Sequence, residues 1–414
     1  MRKVKSILKL FGQRALVTAG LFGRNELANH ASAGAYGFLL SSAPAVLLAA
    51  FLVARALSTS PEGAARILDS IDILGSALDT REIARGFLSA PMAGLSGIIA
   101  LANLVWTARV FALSIQGGIR VVFADPPGGS PVRSQLLTFA IEGAALLYLL
   151  AYALGARYLG AAAGIFGILE TAFVTYAAYR YLPRNKPSRK SAAEGAVLCA
   201  LAFAVVAFIF RRVVNLSRYD LVYGVLGGLI VALANVYFFF TFFFLGAQLA
   251  FVSDSFDSLV FSRLRRIRAG GGAGASPLEK KLFSAPERLI SKYARTYAVG
   301  ETLFARGERG EEVYFVLDGE IAITLDGAAG SPELAVLGKG SIFGEMAYLL
   351  SEPRTAWASA KTESTVLVLP PALFDRLLKE DTDTARDVID SLSSRLKGMN
   401  ERWGRPSSTG SGAS

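Results

Sequence analysis

The stretch Phe343–Ala356, FGEMAYLLSEPRTA, lies near the C-terminal end of a 414-residue chain, between two runs of β-forming residues. Gly344 lets the backbone approach a ligand closely. A short helix starting there presents unbonded N–H groups, which form a site for an anion. Arg354 carries a planar guanidinium that grips a phosphate through two parallel hydrogen bonds. Glu345 accepts hydrogen bonds from sugar hydroxyls. An anion contact beside a diol contact outlines a nucleotide. The same residues also fit a surface turn closed by a Glu–Arg salt bridge. By themselves they leave both readings open.

The surroundings of this stretch have β character. EVYFVLDGEIAITLDG, Glu312–Gly327, contains two apolar runs with turn signals at Asp318-Gly319 and Asp326-Gly327. WASAKTESTVLVLP, Trp357–Pro370, adds further strands, and Pro371–Trp403 has a helical composition. This order predicts a small β-roll or jelly roll with flanking helices. Ahead of it, AGGGAGASP, Ala269–Pro277, reads as a flexible linker. Six Gly-rich residues span roughly 13–15 Å, a leash that tethers a domain but transmits force poorly. Coupling across it would need surface docking. GRPSSTGSGAS, residues 404–414, has the composition of a disordered tail.

The rest of the chain is of another kind. Hydrophobic residues make up 53% of the whole and are concentrated before Val252. About 20 apolar residues cross a bilayer as a helix. Six spans are predicted: Ser32–Leu57, Pro91–Ala108, Leu136–Leu154, Gly160–Tyr179, Ala192–Phe210 and Leu221–Val252. The fold class is therefore membrane all-α with six transmembrane helices, followed by the β-roll. In residues 1–30, Val4, Ile7, Leu8, Phe11 and Ala15 follow helical spacing with lysines mostly off that stripe. This predicts an amphipathic helix on the membrane surface.

The net charge is +10. Nucleic-acid binding is one reading of such a balance, but the basic residues fall at the ends of the spans. That pattern fits cytoplasmic loops facing anionic lipid headgroups. Arg180, Arg184, Lys186, Arg189 and Lys190 after span four, and Arg263, Arg265, Arg266 and Arg268 after span six, put both termini in the cytoplasm. Ser58–Ala90 then lies outside. Arg211, Arg212 and Arg218 also fall outside, against the rule. Partners are membrane lipids rather than nucleic acid. Self-association stays open. One cysteine, Cys199, and one histidine, His30, allow no intrachain disulfide and no Cys/His metal cluster. No nucleophile–base set appears, so no enzyme activity and no metal are expected.

With these residues in view, FGEMAYLLSEPRTA resembles the phosphate-binding cassette of cyclic nucleotide-binding domains. VGETLFARGERGEEVYFVLDGEI resembles their early strands through Gly300, Phe304, Gly307, Gly310, Tyr314 and Gly319. The resemblance covers about 284–403. It implies cAMP or cGMP as a regulatory ligand, with Arg354 on the cyclic phosphate and Glu345 on the ribose 2′-hydroxyl. Backbone N–H groups around Gly344, Met346, Ala347 and Ala356 complete the cradle. Thr355 sits where related domains contact the phosphate or a guanine, which permits cGMP without excluding cAMP. The final helix, with Arg395, Leu396, Met399 and Trp403, is implied as a lid, although each of these residues also reads as plain packing. Tyr348 departs from the family's usual leucine and bears on local packing. The chain ends after this helix without a helix-turn-helix, which argues against a transcription factor.

The membrane part resembles the YihY/BrkB family. The likeness runs through Ala31, Ala35, Tyr36, Leu39, Leu40, Ser41 and Pro44, through YRYLPRNK, and through Tyr223-Gly224, Gly227 and Gly246-Ala247. It covers about Leu8–Val252 and implies a bacterial inner-membrane protein, multi-pass, of transport type. Asn235 stands where the family tends to have tryptophan, and Gln248 where it tends to have glutamate. The family's former ribonuclease BN label finds no catalytic residues here. The expected segments are 1–30 amphipathic helix, 31–252 membrane domain, 253–278 basic helix and linker, 279–403 nucleotide domain and 404–414 tail.

Within the spans Glu170 falls near mid-depth, with Asn103 and Asn235 at comparable depth and Glu142 nearer the cytoplasm. An acidic group there is costly unless paired or hydrated. Glu170, Glu142 and Asn235 therefore outline a polar path, or else a set of interhelical hydrogen bonds that hold helices together. The leading expectation is a cyclic-nucleotide-regulated transporter or channel-like protein. The alternative is a membrane-anchored sensor or scaffold acting on a partner protein. A potassium channel would need a filter sequence, and LVYGVLGG matches one only in its Tyr-Gly.

Overall fold

Long apolar runs satisfy their backbone N–H and C=O groups most simply by closing them within a helix, and the first part of the chain is built of helices. The computed structural model describes residues 2–56, 95–126, 130–213, 225–268, 276–326 and 333–380, together with 385–386, 388–390 and 393. The predicted outer segment Ser58–Ala90, most of the Gly-rich stretch, the lid residues Arg395, Leu396, Met399 and Trp403 and the tail fall outside these residues. The chain divides into two compact units, Arg14–Asp254 and a second made of Ser255–Ser414 with Met1–Gln13.

The first unit holds the later part of α1 (Arg2–Arg24), then α2 (Leu27–Ala56), α3 (Leu95–Val122), α4 (Pro131–Tyr158), α5 (Ala163–Tyr181), α6 (Arg189–Val213) and α7 (Val225–Asp254). Among the described residues two stretches, Arg189–Phe210 and Ile230–Asp254, are long and apolar enough to cross a membrane. The core is aromatic. Phe111 of α3 meets Phe240 of α7 and Phe38 of α2 edge-on at 5.8 and 5.6 Å. Small residues bring backbones close. A Cβ on Gly195 would lie 2.2 Å from the Gly246 carbonyl oxygen, so α6 and α7 cross with almost no side chain between them. Tyr179 of α5 donates to the Phe243 carbonyl at 2.6 Å and ties a third helix to this crossing. Asp254, the last residue of α7, accepts from the Ser188 N–H at the start of α6. Asp125 accepts from the Arg184 and Asn185 N–H groups, both at 2.9 Å, and fixes the basic loop between α5 and α6.

The second unit holds α8 (Phe256–Arg268), α9 (Pro277–Phe283), α10 (Glu287–Tyr293), eight strands and two further helices. The strands are β1 (Ala294–Tyr297), β2 (Thr302–Phe304), β3 (Val313–Asp318), β4 (Ile321–Thr324), β5 (Glu333–Leu337), β6 (Ile342–Phe343), β7 (Trp357–Ala360) and β8 (Ser364–Leu369). α11 (Glu345–Leu350) separates β6 from β7, and α12 (Pro371–Glu380) follows β8. Two four-stranded antiparallel sheets, ordered β1-β8-β3-β6 and β2-β7-β4-β5, enclose a core of Tyr297, Phe304, Tyr314, Val316, Ile321, Phe343 and Val366. The Asp318-Gly319 signal is a turn, but it carries the chain from one sheet to the other rather than closing a hairpin. Gly319 has φ +88°, and a Cβ there would meet the Ser364 Oγ at 2.3 Å.

β3 does not alternate, since Val313–Leu317 are all buried. The reason is α8. Its Phe256, Val260, Phe261 and Leu264 are buried, and the Phe261 ring meets Phe315 of β3 edge-on at 5.0 Å. Asp257 of α8 accepts from Lys292 Nζ at 2.7 Å and Tyr293 Oη at 3.1 Å, with Arg288 Nε at 3.4 Å. Arg263 pairs with Glu279 of α9 and lies over the Phe283 ring. The basic helix α8 is thus a built part of the β-roll unit. Lys9 and Gln13 of α1 donate to the Ala285 and Leu282 carbonyls, while Leu8 and Phe11 stay 71% exposed on another side of the helix.

Candidate functional site

Gly344 follows β6 and precedes α11 at φ +80°, a conformation that L side chains rarely adopt. A Cβ there would lie 2.8 Å from Arg354 Nη1 and 3.0 Å from the Tyr314 ring. The glycine is required both by its dihedral and by what approaches it. Arg354 arrives from the loop between α11 and β7. Nη1 donates to the Gly344 carbonyl at 2.7 Å and Nη2 to the Glu312 carbonyl at 2.8 Å. The guanidinium lies over the Phe304 ring at 4.5 Å and the Tyr314 ring at 5.5 Å. Its backbone is fixed as well, with Arg354 N–H donating to Glu308 O and Gly307 N–H to Arg354 O. Gly310 leaves room for Nη2, since a Cβ there would sit 2.9 Å away.

The two charged residues of the motif are buried, Glu345 at 1% and Arg354 at 3% exposure. Neither lies on the surface, so the surface-turn reading does not describe them. A cation in such a place is held by aromatic faces and carbonyl oxygens. Arg354 Nε is buried and makes no hydrogen bond among the described residues. The guanidinium also has the Glu312 carboxylate 3.9 Å from Nη2, and Nε remains a charged donor with no acceptor among the described residues. Of the other predicted residues, Ala347 is buried, Met346 and Ala356 are half-buried and Thr355 is exposed. All of them stand on α11 or on the turn into β7. Burial raises the Tyr314 phenol above its usual range, and the Arg354 guanidinium pulls it the other way.

The motif did not reveal what holds it. The Glu312 carbonyl and the Phe304 and Tyr314 rings carry Arg354. The upstream glycines and aromatics carried this signal, through Gly310 and Phe304. Tyr348, in place of the usual leucine, packs edge-on against Phe374 at 5.7 Å and donates to Asp375 Oδ1 of α12 at 2.6 Å. That bond pushes the Tyr348 phenol up to about 12.

In the helical unit no hydrogen bond joins any two of Glu170, Glu142 and Asn235. Both Glu170 carboxylate oxygens, Glu142 Oε1 and Asn235 Oδ1 are buried without a hydrogen-bond partner among the described residues. The interhelical bond at that level belongs to the neighbouring residue, with Tyr148 Oη 3.2 Å from Thr171 Oγ1. Tyr148 also stacks with Phe239, one turn beyond Asn235. Gln248 is fully buried and accepts from Asn25 Nδ2 at 3.1 Å.

Comparison with known proteins covers both units. The family model described as cyclic nucleotide-binding domain matches residues 294–381, and the model described as virulence factor BrkB matches residues 18–258. A cyclic nucleotide-gated potassium channel of Mesorhizobium japonicum is 34% identical over 113 residues, covering 27% of this chain and 30% of its own. A cAMP-dependent protein kinase type II regulatory subunit of Drosophila melanogaster is 32% identical over 111 residues, covering 27% and 29%. Among solved structures, the catabolite activator protein of Thermus thermophilus is 26% identical, with a TM-score of 0.27, covering 32% of this chain and 61% of that one. The match to the two curated relatives spans less than a third of their length. The helical match extends over more than half of the chain, and the chain therefore belongs to the BrkB family of membrane proteins and carries a cyclic nucleotide-binding domain behind its membrane part.

Proposed function

We propose that this protein is a multi-pass inner-membrane transporter or channel-like protein whose activity is set by cAMP or cGMP bound in its C-terminal domain. The observation that carries the ligand reading is the buried Arg354, anchored on two backbone carbonyls and two aromatic rings beside the left-handed Gly344, with no acceptor for its Nε–H among the described residues. A cyclic phosphate supplies the missing acceptor. The N–H groups of Glu345, Met346 and Ala347 complete its shell, and Glu345 takes the ribose hydroxyl. Titration calorimetry on the full chain in detergent, with cAMP and cGMP in turn, tests this. Saturable micromolar binding of at least one is expected, and the absence of heat with both rejects it.

The transport reading is supported by Glu170. A carboxylate inside an apolar helix bundle is costly unless paired or hydrated, and neither Glu170 carboxylate oxygen has a hydrogen-bond partner among the described residues. We assign it to a polar path with Glu142 and Asn235. Solute flux in proteoliposomes should fall to background in Glu170→Gln, while flux equal to wild type would reduce Glu170 to a structural residue. Helices α2–α7 serve as the six spans in this reading. Leu8 and Phe11 of α1 rest on the cytoplasmic lipid surface, and no catalytic step is assigned to the chain.

A further inference from the structure

The loop between α5 and α6, residues 182–188, is held by carboxylates that act on its backbone. Asp125, just beyond α3, accepts from the Arg184 N–H through Oδ2 and from the Asn185 N–H through Oδ1, both at 2.9 Å. Asn185 Nδ2 reaches back to the Phe123 and Ala124 carbonyls at 3.3 and 3.4 Å. Asp254 accepts from the Ser188 N–H at 2.9 Å, and Ser188 Oγ accepts from the Ser191 N–H. Pro183 and Pro187 are buried, while Arg184, Lys186, Arg189 and Lys190 are exposed. Each proline fixes its own φ, which stiffens the loop further. Four cations thus stand on a rigid base.

None of the four makes an ion pair among the described residues. Asp125 and Asp254 hold loop backbone, and Glu194, one turn beyond Lys190, pairs with Arg14 and accepts from Ser253. A run of charges facing only water would have polar neighbours, but this one borders an apolar wall. Tyr181, just ahead of the loop, is 63% exposed, and Val197 and Leu201 of α6 are 50% and 53% exposed. By helical spacing these two share the face of α6 that carries Lys190, with Val197 about 10 Å further along the axis. We propose that the loop is a binding site for the headgroup phosphate of an anionic phospholipid. Arg184, Lys186, Arg189 and Lys190 take the phosphate, the acyl chains lie along α6, and Asp125 is a positioning residue. The inference rests on the reading of α5 and α6 as spans. Arginine grips a phosphate in two-pronged fashion and lysine adds point charge, and cations beside a span attract anionic lipids. A soluble anion would gain nothing from the apolar wall, which is why the lipid is the occupant assigned.

Flotation of the full chain with phosphatidylcholine vesicles comes first, and a chain that does not float overturns the span reading and this one together. The full chain in neutral detergent is then titrated with phosphatidylglycerol and, separately, with phosphatidylcholine, and bound lipids are counted by native mass spectrometry. Wild type should bind phosphatidylglycerol at least about tenfold more tightly than phosphatidylcholine. Arg184→Gln/Lys186→Gln should weaken phosphatidylglycerol binding about ten- to thirtyfold, the ratio that two cations near a membrane surface supply, and leave phosphatidylcholine unchanged. Lys280→Gln/Lys281→Gln removes the same charge from exposed positions of α9 and should change binding by less than about twofold, since distant exposed charges are screened. Asp125→Asn supplies the discriminating sign. Simple attraction predicts tighter binding once a negative charge is gone, whereas loss of an acceptor for the loop backbone loosens the base and weakens binding by about threefold or more. Equal affinity of wild type for the two lipids, an equal loss in the Lys280/Lys281 variant, or unchanged or tighter binding in Asp125→Asn overturns the site and leaves the spans standing. Displacement of the lipid by inorganic phosphate at equal concentration overturns the lipid assignment in favour of a free anion.

Discussion

Arg354 and Gly344 form one device, and each is explained by the other. The guanidinium needs the Gly344 carbonyl as an acceptor, and that carbonyl is within reach because the glycine takes a dihedral closed to other residues. Arg354→Ala removes a charged fork whose hydrogen bonds to an anion are worth about 1.5–3 kcal/mol each. Calorimetry should therefore record roughly a hundredfold weaker nucleotide binding, with a folded circular dichroism spectrum. Gly344→Ala should cost the domain about 1–2 kcal/mol from the left-handed backbone alone, with more from the contact with Nη1, read as a lower denaturation midpoint. At this scale the sequence set Gly344, Glu345 and Arg354 apart as a group, and the structure buries the two charged residues and joins Arg354 to Gly344. The acceptors of Arg354 were not legible, because the Glu312 carbonyl belongs to backbone and leaves no mark in side-chain identity. Tyr348 was legible only as a departure, since its partner Asp375 lies on another helix.

Among the elements, α8 departs most from its sequence appearance. FDSLVFSRLRRIR reads as a basic helix trailing out of the membrane. Yet the apolar side chains at 256, 260, 261 and 264 form a buried face closed onto β3. The signal for this lay in the strand. VYFVL is apolar at five successive positions, and a strand with one wet face alternates, so something had to cover its second side. Phe261→Ala should destabilise the C-terminal unit by about 3–5 kcal/mol, the usual cost of emptying a buried aromatic site, measured by chemical denaturation of the full chain in detergent. A change below 1 kcal/mol would mean that α8 only rests on the sheet. The turn at Gly319 shows a similar limit. Its dipeptide announced a reversal, but which sheet the chain entered next depended on Ser364 and Thr362, which receive the Glu320 N–H from a distant part of the sequence.

For the whole molecule, composition separated the two parts, because apolar runs and glycine-punctuated strands obey different solvents. The six-span arrangement is tested by single cysteines introduced at Lys186 and Glu320 after Cys199→Ser. Both should react with an impermeant maleimide only in inside-out vesicles, and labelling from the outside would reverse the orientation. Where one part ends and the other begins was harder to read, since a run of glycines looks like a hinge wherever it occurs. Here Arg268 before the run donates to the Ser284 carbonyl after it, and Arg263 reaches Glu279, so the run begins and ends on the same body. For anyone grafting this sensor onto another membrane protein, the place to cut is between Asp254 and Ser255. A chimera spliced within the glycines would leave α8 behind with the donor, strip the cover from Phe315 and yield a sticky, poorly soluble module. Lengthening the glycines, by contrast, should be nearly silent, since doubling such a closed segment costs only about 0.6 kcal/mol.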